Sequence, residues 1–205
     1  MLNIILVIVI GYLLGSISTG VVISKALSKT DIRTHGSGNA GTTNMLRVLG
    51  RKAALLTFIG DMLKGIIAVF FGKWLVGGEL GGLLGVVGAV LGHYYPLYFG
   101  FKGGKGIATS FGSLLFVFPV QALLAFTVFL ILVGVTHYVS VGSVAAAIVL
   151  PLLVVFTRFA QPQLWIITAC IGASVVWRHR ANIQRLMNHT ESKLDFSKLK
   201  GSKKA

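Results

Sequence analysis

Three short stretches hold most of the residues in this chain that could do polar chemistry. The first reads Arg33-Thr-His-Gly-Ser-Gly-Asn-Ala-Gly-Thr-Thr-Asn-Met-Leu-Arg47. Gly36, Gly38 and Gly41 match a G-x-G-x-x-G spacing, but the stretch follows an apolar run rather than a strand, so a dinucleotide-binding βαβ unit is excluded. The physics of such a loop survives that exclusion. Glycines let backbone N–H groups turn around an anion, and a helix starting just after them adds its positive end. Ser37, Asn39, Thr42, Thr43 and Asn44 add short polar side chains, and Arg47 adds a guanidinium suited to a phosphate. The second stretch runs from Gly92 to Thr109 and contains Lys102-Gly-Gly-Lys-Gly106. It is not a Walker A loop, because position 99 is Phe and position 106 is Gly. Lys105 between Gly104 and Gly106 nevertheless puts an ammonium at the centre of a compliant backbone, which suits phosphate. His93, Tyr94, Tyr95 and Tyr98 read as anchors at a membrane interface. In the third stretch, Arg178 to Glu191, His179, Asn182 and Arg185 recur every third residue, so a helix presents them on one side.

The elements that must carry these stretches are membrane helices. Of the 205 residues, 55% are hydrophobic and only 12% charged, with a mean hydropathy of +0.84, whereas a soluble domain carries about a quarter charged residues. Five apolar runs are clear: Leu2–Ile23, Ala53–Val76, Leu80–Phe99, Val141–Phe156 and Leu164–Trp177. Residues 107–138 exceed one span and contain Phe118-Pro119, so they divide into two shorter helices, roughly 107–118 and 120–138. The expectation is therefore an all-α polytopic membrane protein of about seven transmembrane helices. Met1–Ile23 has neither a basic start nor a small-residue cleavage site and reads as a mature helix rather than a signal peptide. The glycines from Gly77 to Gly92, many four apart, let helices approach closely. Asp61 and Lys64, one turn apart in the second run, read as a self-neutralising pair. Cys170, the only cysteine, reads as core.

Charge sets the sidedness. There are 19 Lys+Arg against 5 Asp+Glu, a formal net charge of +14. The excess lies between apolar runs, which points to anionic headgroups or phosphorylated substrates rather than nucleic acid. With seven spans, 16 of the 19 basic residues fall on one side, so the positive-inside rule predicts an outside N-terminus and a cytoplasmic C-terminus. Residues 1–192 then form a single membrane-embedded domain, and 193–205 a basic cytoplasmic tail binding headgroups through Lys193, Lys198, Lys200, Lys203 and Lys204.

Taken together, Gly36-Ser-Gly-Asn-Ala-Gly-Thr-Thr-Asn44 with Arg47, Gly92-His with Pro96 and Lys102-Gly-Gly-Lys-Gly106, and His179-x-x-Asn-Ile-x-Arg-Leu186 resemble the bacterial acyl-phosphate:glycerol-3-phosphate acyltransferases, the PlsY family. The resemblance spans nearly the whole chain. It implies acyl transfer from acyl phosphate to the 1-hydroxyl of sn-glycerol 3-phosphate at the bacterial cytoplasmic membrane, giving lysophosphatidic acid. It implies His179, Ser37 and Asn182 as catalytic residues. It also implies a substrate site built from Ser37, Gly38, Asn39, Gly41, Thr43, Asn44, Arg47, Gly104, Lys105, Gly106, His179, Asn182, Arg185 and Glu191. His179 has a pKa suited to a general base, and an oxygen of the departing phosphate is the alternative proton acceptor. No metal or other cofactor is expected; association with the enzyme that makes acyl phosphate is a family-level expectation. One departure stands out: where the family has Gly two residues before Glu191, this chain has His189, and a positive φ there would cost more in His.

Two other classes are weighed against this reading. Glycerolipid acyltransferases built on a His-x₄-Asp pair are excluded, since none of the five His residues has Asp at that spacing. A transporter for phosphorylated anions explains the membrane and the charge but calls for polar groups at mid-span, which most runs lack.

Overall fold

The structure is a computed structural model described for residues 1–195. The tail lysines 198, 200, 203 and 204 therefore lie outside the described residues. Nine α-helices are present among them: α1 Leu2–Gly15, α2 Thr19–Ser28, α3 Thr42–Leu75, α4 Gly78–Tyr94, α5 Ile107–Val117, α6 Pro119–Thr136, α7 Val139–Thr157, α8 Pro162–Arg178 and α9 Arg180–Met187. The architecture is all-helical, with no strand in the described residues. Five stretches are long and apolar enough to cross a bilayer: Leu2–Ser28, Thr42–Leu75, Gly78–Phe99, Pro119–Thr136 and Val139–Thr157. α8, at 17 residues, is at the short end of spanning length. α5 has 11 residues, only ~16 Å of rise.

Three sequence expectations change. The first apolar run is two helices, α1 and α2, broken at Ser16–Ser18. The second run begins earlier than its hydropathy indicates. α3 starts at Thr42 and has 34 residues, ~51 Å of rise against a hydrocarbon core of ~30 Å, so its polar N-terminal turns extend past the apolar layer. Arg47, Arg51 and Lys52 therefore ride on a helix rather than in a loop. Gly50, with φ 80° and ψ −171°, interrupts that helix and separates the polar start from the span. Finally, Cys170 is exposed on α8 rather than buried in the core. It shares the outer surface with Trp74, Val120, Val135 and Phe156, a large apolar exterior that a membrane protein turns to lipid.

α4 runs between α1 and α3 at backbone contact, which its glycines make possible. A Cβ on Gly85 would stand 2.3 Å from the Ala68 carbonyl of α3, and one on Gly92 2.1 Å from the Tyr12 carbonyl of α1. The main core, including Leu83, Val86, Leu114, Phe118, Val154 and Leu164, joins α4, α5, α7 and α8. A second cluster (Val21, Ile32, Ala40, Met45, Ala53) sits under the first polar loop and fastens it to α2 and α3. Beyond the far end of α3, Arg158 pairs with Glu79 at 2.7 Å.

Candidate active site

The first loop is built around one asparagine. Asn44, in the first turn of α3, is almost fully buried. Its Oδ1 accepts the Ser37 N–H at 2.9 Å, and its Nδ2 donates to the carbonyls of His35 and Asn39, both at 2.9 Å. Gly36, at φ 60°, must be glycine, because a Cβ would meet Asn44 Oδ1 at 2.3 Å. Gly38 turns the chain at φ 70° and Gly41 caps α3. Asn44 therefore shapes the loop, a role the sequence reading did not assign beside the substrate contact it expected.

The second loop folds back onto the end of α4. Gly103 and Gly104 donate to the carbonyls of Tyr94 and His93 at 3.2 and 3.1 Å. Their own carbonyls face a guanidinium: Arg178 donates to Gly104 O at 2.8 Å and lies over the Tyr94 ring at 5.3 Å. Arg33, braced by Asp31 at 2.8 Å, donates to the carbonyls of Phe99 at 2.6 Å and Lys102 at 3.0 Å. Two arginines to which the sequence gave no individual role thus tie the three stretches together. His93 and Tyr94, read as interfacial anchors, are buried, while Tyr95 and Tyr98 remain exposed.

In the third stretch Asn182 and Arg185 lie on α9, whereas His179, expected on the same helix, sits at the break between α8 and α9. Lys105 Nζ donates to Asn182 Oδ1, and Asn182 Nδ2 donates to Glu191 Oε1 at 2.7 Å. Glu191 also accepts from Ser140 at 3.0 Å and from Arg185 Nε at 2.7 Å. Burial opposes ionisation of Glu191, but the hydrogen bonds from Asn182, Arg185 and Ser140 outweigh it and hold its carboxyl below the usual range. Burial lowers Lys105 to about 8, against the opposing pull of Glu191. His179 is lowered to about 4, chiefly by burial. Its Nδ1 is 2.8 Å from the Val175 carbonyl, which can only accept, so the hydrogen sits on Nδ1 and Nε2 offers a lone pair. His189 does adopt a positive φ, 55°. It ends α9 in a Schellman turn, with Thr190 N–H bonded to Arg185 O at 2.8 Å and His189 N–H to Leu186 O at 3.1 Å. The non-glycine residue does not displace Glu191 from its network.

A polar pocket forms where these parts meet. Ser37, Asn39, Gly41, Thr43, Asn44, Arg47, Lys105, Gly106, His179, Asn182 and Glu191 line it, as do Thr42, Asp61, His93, Ile107, Ala108 and Ser140. Of the residues expected from sequence, Gly38, Gly104 and Arg185 are not in its wall: Gly38 and Gly104 turn the loops, and Arg185 holds Glu191. The N-termini of α3 and α5 both open on the pocket, and neither has a side-chain cap. The first N–H groups of a helix lack intrahelical acceptors, so each end offers donors and positive potential to an anion. The Thr42 hydroxyl is buried with no hydrogen-bond partner, a further donor on the same wall. Arg47 spans the rim and donates to the Ser192 carbonyl at 3.1 Å. Two uncapped helix ends and two basic side chains thus face one pocket, an arrangement whose chemistry suits anions.

The comparisons with known proteins agree with that chemistry. The profile described as glycerol-3-phosphate acyltransferase matches residues 5–189. The chain belongs to the glycerol-3-phosphate acyltransferase family. It is 45% identical over 199 residues to the glycerol-3-phosphate acyltransferase of Clostridioides difficile (strain 630), covering 95% of this chain and 97% of that one. It is 46% identical over 185 residues to that of Syntrophotalea carbinolica, covering 89% and 93%. The crystal structure of PlsY, an integral membrane glycerol 3-phosphate acyltransferase, in its glycerol 3-phosphate form superposes with a TM-score of 0.87 at 37% identity, over 96% of this chain and 98% of that one. The lysophosphatidic acid form gives 0.81 at 36% identity, over 96% and 97%. This member of the acyltransferase family is thus a multi-pass membrane protein whose three polar stretches form one pocket.

Proposed function

We propose that this chain transfers a fatty acyl group from acyl phosphate to the 1-hydroxyl of sn-glycerol 3-phosphate, giving lysophosphatidic acid and phosphate. This is the first step of phospholipid synthesis. The observation that carries the reading is the continuity of the polar pocket with an apolar chamber: Phe58, Ile107, Phe129 and Ser143 line both. The chamber lies among α5, α6, α7 and α8, walled by side chains such as Phe111, Leu114, Phe126, Leu150 and Ile171. An acyl phosphate has that same division, an anionic head on a long apolar tail.

In this reading Ser37, Asn39, Thr42, Thr43 and the open end of α3 hold the acyl-phosphate head. Arg47, Lys105 and the open end of α5 hold the phosphate of glycerol 3-phosphate. Asn182 orients the Lys105 ammonium. The 1-hydroxyl oxygen attacks the acyl carbonyl carbon, N–H and hydroxyl donors stabilise the tetrahedral oxyanion, and its collapse breaks the carbon–oxygen bond to phosphate. His179 Nε2 accepts a hydrogen bond from the attacking hydroxyl and orients it. At about 4, its pKa makes it a poor resting place for the proton, so the departing phosphate, a far stronger base than this imidazole, takes it and leaves as hydrogen phosphate. A mixed anhydride has a good leaving group and needs little acid from the protein.

The pocket is placed on the cytoplasmic face of the bacterial inner membrane, with the N-terminus outside. The support is the basic asymmetry, with 16 of the 19 basic residues on that side. In a Cys170→Ser background, a cysteine at position 193 should label only from the cytoplasmic side and one at position 160 only from outside; the reverse pattern refutes this placement. For the reaction, purified protein is given labelled glycerol 3-phosphate with either acyl phosphate or acyl-CoA. Lysophosphatidic acid should form from acyl phosphate alone, and equal turnover with acyl-CoA refutes the donor assignment.

A further inference from the structure

Beneath the glycine loop, three ionisable side chains are buried together: Asp61 and Lys64 of α3 and His93 of α4, each no more than 6% exposed. Lys64 Nζ is 2.8 Å from Asp61 Oδ1, but the contact does not end there. The same ammonium donates to the Ile17 carbonyl, in the break between α1 and α2, at 2.8 Å, and to His93 Nδ1 at 2.9 Å. Asp61 Oδ1 in turn accepts the Thr19 hydroxyl at 2.6 Å. A pair present only to cancel charge would be complete with one contact. Here the three hydrogens of the ammonium go to three acceptors on three elements, which fixes their relative positions.

What they fix is the glycine loop. Because His93 Nδ1 accepts from Lys64, its hydrogen is on Nε2, and that edge of the ring lies against Gly104: a Cβ there would stand 2.3 Å from Nε2. The His93 carbonyl also takes the Gly104 N–H at 3.1 Å. Thr109, in the first turn of α5, is 3.3 Å from His93 Nδ1. His93 therefore meets the loop on one side of Lys105 and the start of α5 on the other, and Lys64 sets the angle of its ring.

We propose that Asp61, Lys64 and His93 are positioning residues for the phosphate of glycerol 3-phosphate. They hold the His93 ring under Gly104 and so keep Lys105 and the open end of α5 aimed into the pocket. The inference rests on the proposed reaction for the identity of the ligand. It assigns these buried charges to substrate affinity rather than to neutralisation alone.

The test compares Asp61→Asn, Lys64→Met, the paired variant and His93→Phe with the wild type in detergent. Thermal midpoint, the glycerol 3-phosphate dependence of that midpoint, KM and kcat are read for each. The paired variant leaves no buried charge unmatched, and His93→Phe keeps both the ring and the Asp61–Lys64 pair. Both should recover stability relative to the single-charge variants yet need about tenfold more glycerol 3-phosphate in both assays, with kcat changed by less than about threefold. Recovery of wild-type glycerol 3-phosphate dependence in the paired variant or in His93→Phe overturns the inference, as does a fall in kcat with KM unmoved. A wild type that neither responds to glycerol 3-phosphate nor acylates it overturns the proposed reaction itself, a result distinct from either.

Discussion

Glycine is dense in two regions of this molecule and does different work in each. Along α4, Gly85 and Gly92 are absences of side chain that let three helices touch backbone to backbone, and neither lines the polar pocket. In the loops around Gly36–Gly41 and Gly103–Gly106, the missing Cβ leaves room for another residue's polar edge, Asn44 Oδ1 against Gly36 and His93 Nε2 against Gly104. The first set makes the scaffold rigid. The second lets a backbone settle around a pocket whose donors must point inward. Glycine content alone does not separate these roles; the group that occupies the vacated space does.

The largest effect that would break this contrast comes from α4. Gly92→Val drives a branched side chain into the Tyr12 carbonyl of α1, and the protein should fail to assemble, read as loss of a monodisperse peak and of a cooperative melting transition. Gly104→Ala presses on the His93 ring rather than on a helix backbone; it should still fold, with a smaller loss of stability than Gly92→Val, and lose activity as the ring is displaced. Equal stability of the two would erase the distinction.

The basic side chains come next. Arg47→Ala and Lys105→Ala should each lower kcat/KM by roughly 10- to 150-fold, the equivalent of about 1.5–3 kcal/mol for a charge-assisted contact kept in the transition state. Arg47→Lys should recover little, because it loses the planar donor pair. Lys193→Ala, at an exposed position over the Tyr138 ring, should cost less than about threefold. Steady-state kinetics on folded variants decides, and a loss at Lys193 equal to that at Arg47 would reduce the loops to topology signals.

A smaller effect follows from acidity. Lys105 at about 8 carries its positive charge below that pH and loses it above. If the ammonium binds phosphate, kcat/KM should fall on the alkaline side of 8, and Lys105→Arg should remove that limb whatever its overall activity. A profile flat to pH 9.5 in the wild type contradicts the assignment. The smallest change expected is at the end of α9. His189→Gly relieves a left-handed residue and should raise stability by about 1 kcal/mol without altering KM, measured by thermal or chemical denaturation.

Much of this was legible in the residues. Run lengths and Phe118-Pro119 locate the helix boundaries from 107 to 138, since proline and hydropathy act locally. The three polar stretches announce themselves by composition. The early start of α3 was not legible, because residues 42–52 are too polar for a hydropathy argument and Gly50 breaks their helical period. The outward face of Cys170 was hidden for the opposite reason: an apolar run in a membrane has no polar side to mark its orientation. Arg33 and Arg178 differ again, since their partners are backbone carbonyls more than sixty residues away, and a carbonyl carries no sequence signal. His189 shows the reverse case, where one departure from a family pattern foretold a local backbone angle.

The shortness of α5 has a consequence for kinetics. A helix of 11 residues that begins at the polar pocket and is packed among longer spans sinks the pocket floor toward the depth where acyl chains already lie. In the proposed reaction, then, one substrate arrives from three dimensions and the other from two. The rate should follow the mole fraction of acyl donor within the bilayer or micelle, not its bulk molarity, so that diluting the membrane with inert lipid slows the enzyme while adding buffer does not.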